Sequence, residues 1–445
     1  MKRTVSFLLA AMLLLSLCAC GGRTTAAPET PTPETSPVSG QTAVPAPTAA
    51  AVNNGGLYVG LNDDVYYRQY DASDVETSGM FGNFAAVSGS EKQMMVRHAD
   101  GSTEALFTDT GVGPIVLLND TFYLQTSEYV GGKVYRVDMT GENRTELLDG
   151  CILAVDEQND RLICQRGTDI VSLDPAVGEP RVLATHVTYA GLADGRVYYS
   201  SSFSGSDDAR RGALVFQSVA TDGTDVHTLA QTQPDLYDYP SDTDATVVCM
   251  QAVDDVVYFN YGAYAGTAHA FQGGSIMRVG LDGSGLTKIV DAAQEDFYVS
   301  SRGGTDYLYY VPGELGEPGA GEGAICRNVA TGAEETAAFA APIGVPYVDS
   351  RTADGSIYSD ETGTPTKLFT SKDLAGYDRD YGYGEETLYL VDQVNVVGDL
   401  VFFRILRGTH DAANDVGWRY SYRFASAEIY CRDLTTGQVT QVFAY

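Results

Sequence analysis

The sequence predicts an all-β fold, a β-propeller of four-stranded antiparallel blades, and three observations point there. The unit Gly131–Gly150 (GGKVYRVDMTGENRTELLDG) returns without a gap at Gly273–Ala292 (GGSIMRVGLDGSGLTKIVDA), setting Arg136 on Arg278, Val137 on Val279 and Gly141 on Gly283. Each copy reads as a short strand, a tight turn and a second short strand, a module that buries its apolar face only against its neighbours. The composition agrees, with 29 Tyr against one Trp in 445 residues, a bias towards strand.

Taken from its start, the chain opens on a leader. Lys2-Arg3 forms a basic region and Phe7–Leu17 an apolar one, too short to span a bilayer once processed. Leu17-Cys18-Ala19-Cys20, followed by Gly21-Gly22, resembles the bacterial lipobox. That resemblance implies cleavage after residue 19, lipid attachment at Cys20 and an extracytoplasmic protein anchored to the cell membrane. The alternative is an ordinary secretory signal with two incidental cysteines. Residues 20–54 then carry the anchor and a Pro/Thr/Ala-rich stretch that buries too little apolar surface to fold, so Arg23–Asn54 is expected to be a tether. Residues 55–445 make the single propeller domain.

The charge excludes one class of partner. The formal net charge is −31, and removing Lys2 and Arg3 with the leader gives −31 − 2 = −33. Such a field repels phosphate backbones, so no nucleic-acid partner is expected. Cys151, Cys164, Cys249, Cys326 and Cys431 sit among apolar strand residues in no CxxC pair. They read as buried free thiols, although Cys151 and Cys164, on consecutive strands, could face one another.

A whole module is clearest at Cys151–Thr185. Ile152–Asp156 is strand A, Arg161–Gln165 strand B, Asp169–Leu173 strand C and Arg181–Ala184 strand D. Strand B recurs at Val65–Arg68, Thr121–Leu124, Arg196–Tyr199, Val256–Phe259, Tyr307–Tyr310 and Leu400–Phe403. A C–D turn ending in glycine recurs at Gly101, Gly141, Gly178, Gly223, Gly283, Gly332, Gly363 and Gly437, where a tight hairpin needs positive φ. The module around Ser356–Phe369 is degenerate, since too few residues separate Gly332 from Gly363 for four strands. The expectation is eight blades, one reduced, with seven as the alternative. Ring closure is expected from Leu57–Leu61 completing or joining the final blade of Glu428–Asp433 and Gln438–Phe443.

The recurrent pattern, carried by Tyr135-Arg136-Val137, Met277-Arg278-Val279 and the glycine turns, resembles bacterial lipoprotein propellers of an uncharacterised family, distantly similar to the YWTD-type propeller of the low-density-lipoprotein receptor. The resemblance covers roughly Gly55–Tyr445. It implies a fold and an envelope location, with no assigned activity, and the YWTD tetrapeptide itself is absent.

Because strand direction alternates, A–B and C–D turns emerge on one face and B–C and D–A connections on the other. The A–B turns are short: Asn62-Asp63-Asp64, Asn119-Asp120, Ala193-Asp194-Gly195, Asp254-Asp255 and Gly398-Asp399. The long connections are Tyr70–Gln93, Phe203–Gly212, Tyr261–Gly274, Pro312–Gly323 and Gly408–Ala425 (B–C), with Gln231–Ala245 and Ser371–Glu386 (D–A). Insertions on one face of a repeat ring usually build its binding face. The alternative is an idle surface that tolerates insertion. The candidate ligand-binding residues are the loop aromatics Tyr237, Tyr239, Tyr261, Tyr264, Tyr381, Tyr383, Trp418 and Tyr420, suited to stacking on a glycan or to contact with a peptide or envelope protein. For each of them the simpler reading is packing of its own loop.

No chemistry-bearing motif emerges. The loop acids match no EF-hand, the five His are scattered, and no GxSxG, Walker loop or HExxH is present. No catalytic residue, metal site or cofactor is therefore assigned. The expected function is non-catalytic ligand binding on the long-connection face of an envelope lipoprotein. The alternative is a polysaccharide lyase or glycoside hydrolase with its site in the central mouth.

Overall fold

Among the described residues of the computed structural model (51, 55–70, 75–78, 83–86, 91–127, 131–201, 214–232, 244–265, 270–313, 324–337, 356–359, 366–370, 387–410 and 422–444), seven four-strand antiparallel meanders follow one another along the chain. Sheet 1 holds β1 (Tyr58–Leu61) and β2 (Asp64–Gln69), then an inserted hairpin of β3 (Val75–Ser78) and β4 (Asn83–Ala86), then β5 (Lys92–Arg97) and β6 (Thr103–Asp109). Sheet 2 is β7 (Val112–Leu118), β8 (Thr121–Gln125), β9 (Lys133–Asp138) and β10 (Thr145–Asp149). Sheet 3 is β11 (Cys151–Asp156), β12 (Arg161–Arg166), β13 (Asp169–Leu173) and β14 (Pro180–Ala184). Sheet 4 is β15 (Val187–Ala193), β16 (Arg196–Ser201), β17 (Leu214–Ala220) and β18 (His227–Thr232).

Sheets 5 and 6 share a strand. After β19 (Asp244–Val253), β20 (Val256–Ala265) and β21 (Ala270–Gly280), β22 (Thr287–Arg302) is the outer strand of sheet 5 and runs on as the inner strand of sheet 6. Sheet 6 continues with β23 (Thr305–Pro312), β24 (Ala324–Asn328) and β25 (Glu334–Ala337). A two-stranded hairpin, β26 (Ser356–Ser359) and β27 (Thr366–Thr370), precedes the terminal sheet of β28 (Thr387–Val397), β29 (Leu400–His410), β30 (Tyr422–Asp433) and β31 (Val439–Ala444).

The second strand of each sheet is apolar at consecutive positions because both sheet faces are covered. In β8, Phe122 and Leu124 pack on sheet 1 while Tyr123 packs on sheet 3. In β16, Val197 and Tyr199 face sheet 3 and Tyr198 faces sheet 5. In β20, Val257 and Phe259 face sheet 4 and Tyr258 faces sheet 6. Sheets 1 to 5 thus each sit between two others, and the terminal sheet meets the first. Tyr58, Val65 and Tyr67 of sheet 1 share one core with Val397, Phe402, Ile429, Cys431 and Phe443. The innermost strands approach one another in turn, β1 against β7 and β28, β11 against β15, β15 against β19. This is a closed propeller.

Closure differs from the expectation. β1 pairs with β2 of its own sheet, Tyr58 opposite Tyr67, so no strand crosses the seam. Aromatic rings close it instead: Tyr58 stacks on Phe402 at 4.5 Å, Tyr58 on Tyr67 at 5.7 Å, and Tyr67 on Phe443 at 6.0 Å. Stacked pairs of this kind add about 0.5–1.5 kcal/mol each beyond burial.

A bulge recurs in the outer strands. Pairing skips one residue at Leu106, Leu147, Leu183, Leu229, Ile289, Leu368 and Val442. A bulge turns two successive side chains to one side. Leu147 and Leu148 accordingly enter the same core, as do Leu106 with Phe107, Leu183 with Ala184, Leu229 with Ala230, Ile289 with Val290, and Val442 with Phe443. The β26–β27 hairpin carries the same bulge, at Leu368. The residues expected to supply the other strands of a reduced blade, and Gly363, lie outside those described.

All five cysteines of the body are buried and free. Cys164 stands opposite Ile152 and Cys151 opposite Gln165, so the two thiols do not form a facing pair. Burial pushes Cys151 and Cys431 up to about 11, which keeps them protonated at neutral pH.

Candidate functional site

The two faces of the ring are built by different rules. On the turn face, several A–B hairpins close in two residues that both take positive φ: Asn62 and Asp63 (53° and 68°), Asn119 and Asp120 (50° and 56°), Asp194 and Gly195 (48° and 69°). Such turns match the right-handed twist of the strands they join. The described C–D glycines, Gly101, Gly141, Gly178, Gly223, Gly283, Gly332 and Gly437, all have φ between 72° and 86°. An aspartate anchors many of these turns. Asp138 Oδ1 accepts the amides of Thr140 (3.1 Å) and Glu142 (2.8 Å), and Asp222 and Asp282 accept those of Thr224 (2.8 Å) and Ser284 (2.9 Å). Those bonds, led by the side-chain hydroxyls, hold the three carboxyls below the usual range.

Some turn glycines have a second reason to lack a side chain. A Cβ on Gly141 would lie 2.4 Å from Phe107 of sheet 1, and one on Gly283 would lie 2.4 Å from the Thr228 carbonyl oxygen of sheet 4. The turns at Gly141, Gly223 and Gly283 nest on the outer strand of the preceding sheet.

On the opposite face, the breaks between strands fall at 70–91, 202–213, 266–269, 313–323 and 411–421 (B–C), and at 233–243 and 371–386 (D–A). Two of the expected loops are largely strand. β20 and β21 remain paired out to Ala265 opposite Ala270, and β29 and β30 out to His410 opposite Tyr422. Tyr264 therefore lies on a strand, in register with Asp244 and Phe271. Tyr261 is corrected more strongly. It is 5% exposed and packs between sheets 4 and 5 with Phe216, Val247 and Phe259, so it leaves the set of ligand-contacting candidates. Its place inside the extended β20 ladder turns it into the core. Tyr237, Tyr239, Tyr381, Tyr383, Trp418, Tyr420 and the lipid-attachment residue Cys20 lie outside the described residues.

A belt of polar side chains just under this face was not anticipated. Four residues after the first paired residue of each A–B hairpin stand Arg68, Gln125, Gln165, Ser200, Asn260, Tyr309 and Arg404. The parity of the strand points this position at the next sheet. There the innermost strand is bulged in β7, β11, β15, β19, β22 and β28, and bulges leave backbone groups unpaired. Arg68 Nη1 donates to the Gly113 carbonyl (2.6 Å) and Gln125 Oε1 accepts the Ile152 amide (2.7 Å), both beside such bulges. Between sheets 4 and 5 the hydroxyls of Ser200, Thr188 and Thr246 form a triangle of 2.7–3.1 Å, Thr188 being the bulged residue. Gln251 of β19 adds a two-way bond to Val299 of sheet 6, 2.8 Å each way. The recurrent polar residue closing each aromatic B strand was the sequence signal for the belt.

Between sheets 1 and 2 the belt is ionic. Arg68 Nε meets Asp109 Oδ2 at 2.8 Å, and the Tyr135 hydroxyl donates a short bond to Asp109 Oδ1. Burial opposes the charge on both ions, yet their mutual attraction keeps Arg68 protonated and holds Asp109 below its ordinary value. The Arg144 guanidinium caps the cluster 3.6 Å above the Tyr135 ring. Among the described residues no three His, Cys, Asp or Glu side chains are grouped to hold a metal ion.

No protein-family model matches the chain, and none of the curated proteins compared with it matches. Solved structures similar to it are distant. A chain of a nidogen/laminin complex is 13% identical, the match covering 54% of this chain and 88% of that one with a TM-score of 0.29. The N-terminal domain of Nup159 is 13% identical, covering 76% and 85% at a TM-score of 0.38. TolB from Acinetobacter baumannii is 9% identical, covering 81% and 79% at 0.27. At these scores the likenesses carry no argument about function, and the fold rests on the sheet order and on the core shared by the first and last sheets.

Proposed function

We propose that this protein is an extracytoplasmic lipoprotein whose propeller binds a glycan, peptide or envelope protein on the long-connection face without catalysing a reaction. One observation carries the reading: insertions are confined to one face. The described turn face carries short A–B hairpins of two to four residues and glycine turns, while the other face carries the breaks at 202–213, 233–243, 371–386 and 411–421 and the strand pairs that extend beyond the shared blade length. Confinement of that kind is what a binding surface on a rigid scaffold produces. The aromatic content of the same segments supports it, because Tyr and Trp give contact area at low entropic cost. Membrane attachment rests on the basic, apolar and Leu17–Cys20 pattern of the leader. Replacing 411–421 and 266–269 together by short Gly-Asn-Gly links is expected to abolish binding on a glycan array and in envelope pull-downs while leaving the far-UV spectrum unchanged. Binding that persists in that variant overturns the proposal.

A further inference from the structure

Gly55 and Gly56, just ahead of β1, lie against the inner edge of the neighbouring sheet. The Gly55 amide donates to the Ile115 carbonyl (2.9 Å) and the Ile115 amide to the Gly56 carbonyl (2.9 Å), so both residues pair with the inner edge of β7. Ile115 can accept this partner because the irregularity between Val112 and Val116 leaves it out of register with β8. Gly55 also faces sheet 3: a Cβ there would touch Val155 at 3.9 Å and Val116 at 4.0 Å. Two residues on, the Leu57 amide donates to Asn395 Oδ1 (3.3 Å) of the terminal sheet. Ala51 packs against the core between sheets 1 and 2. Three residues therefore span from the inner edges of sheets 2 and 3 to that of the terminal sheet, along the inner wall where β7 and β28 flank β1.

We infer that Gly55–Leu57 is a docked strap that runs along the inner edges of the sheets beside β1 and fastens the seam between the first and terminal sheets. The sequence is fitted to the task. Gly55 has φ 89°, a conformation costly for any residue with a Cβ, while a Cβ there would make only ordinary contact with Val155 and Val116. The strap adds to the apolar core and stacked rings of a seam that no strand crosses among the described residues. A strap docked by three hydrogen bonds is also a releasable one.

The test uses the full chain. Val155→Cys places a thiol beside Gly55; the five native thiols among the described residues are buried, and labelling is read at position 155 by peptide mass, apart from Cys18 and Cys20. In the otherwise unchanged protein this cysteine is expected to resist a charged maleimide. Adding Gly55→Val, a branched residue at positive φ, is expected to undock the strap and speed labelling about tenfold or more. Asn395→Leu removes the seam bond together with the local bond from Asn395 Nδ2 to the Gln393 carbonyl (2.9 Å), and is the fallback where Gly55→Val prevents folding. It is expected to raise hydrogen exchange at the Leu57 amide about tenfold, with distant amides such as Val171 unchanged. Equal labelling with and without Gly55→Val, or an Ile115 amide that exchanges as fast as a free surface amide, overturns the inference. Neither result bears on ligand binding by the outer loops.

Discussion

Replacing Gly283 by Ala separates two reasons for glycine at the C–D turns. At Gly437 the backbone has φ 72° and a Cβ would meet nothing within 4 Å, so Gly437→Ala carries only the left-handed backbone cost of about 1–2 kcal/mol. Gly283 has φ 82° and carries the same cost, but its Cβ would also lie 2.4 Å from the Thr228 carbonyl oxygen. That atom belongs to the outer strand of sheet 4 next to the bulged Leu229, and it cannot swing aside like a side-chain tip. Relieving the contact means moving one sheet against the next, and forced repacking of this kind costs about 1–3 kcal/mol more. The sum for Gly283→Ala is about 2–5 kcal/mol. Gly223 falls between the two, because its Cβ would meet the Arg181 guanidinium, which can move but would lose its bonds to the Asp222 and Gly223 carbonyls. Urea unfolding of the three variants, compared at constant slope, is expected to rank Gly437→Ala least harmful, Gly223→Ala next and Gly283→Ala worst. Equal losses at Gly437 and Gly283, within about 0.5 kcal/mol, would refute the nesting of turns on preceding strands.

Three further outcomes follow from the same packing. Leu147→Ala and Leu148→Ala are both expected to destabilise the protein, by about 1–3 kcal/mol each in urea titrations, since the bulge delivers both side chains to one core; a neutral result at either position would restore strict alternation. Gln125→Leu is expected to cost about 1–3 kcal/mol by stranding the buried Ile152 amide, while Gln165→Leu, whose amide serves only the Gly167 carbonyl of its own turn, should cost well under about 1 kcal/mol. Asp100, Asp138, Asp222, Asp282 and Asp433 all have folded pKa values below their ordinary 3.8, so their contribution is present above the unfolded value and is lost as pH falls below it. Urea midpoints should therefore drop from about pH 4 downwards, with a shallower drop in Asp138→Asn.

Much of this architecture was legible because its causes are local. Positive φ at the C–D turns selects glycine, two covered faces select runs such as Val65-Tyr66-Tyr67, and direction reversal sorts connections by length. What escaped depends on contacts between sheets. The apolar pairs Leu147-Leu148 and Leu183-Ala184 break strict alternation, but only the pairing register shows that a bulge sends both to the same side. Tyr261 resembles a loop aromatic until β20 is seen to run on to Ala265, which carries the residue into the core between sheets 4 and 5. Closure was misassigned because an edge strand suggests pairing, whereas Tyr58, Phe402, Tyr67 and Phe443 are far apart in sequence and announce no stack. The belt was visible as residue types without a purpose. Arg68, Gln125 and Ser200 acquire one only when the bulged strand of the next sheet is seen beside them.

The asymmetry of the ring has a mechanical origin, and insertion tests it. A turn such as that at Gly283 is fixed twice, by its own positive φ and by the outer strand on which it rests, so added residues must lift it off the preceding sheet. The B–C break at 266–269 opens between strand ends that pair Ala265 with Ala270. Lengthening a flexible loop costs about 0.6 kcal/mol for each doubling. Inserting Gly-Ser-Gly-Ser within 266–269, which doubles that break, is thus expected to change stability by about that amount. The same four residues placed between Asp282 and Gly283 forfeit the nested contact and are expected to cost more than about 2 kcal/mol. Both are read by urea unfolding. If the two insertions prove equally harmless, packing does not confine variation to one face, and the uneven loop lengths would need a cause in selection for binding alone.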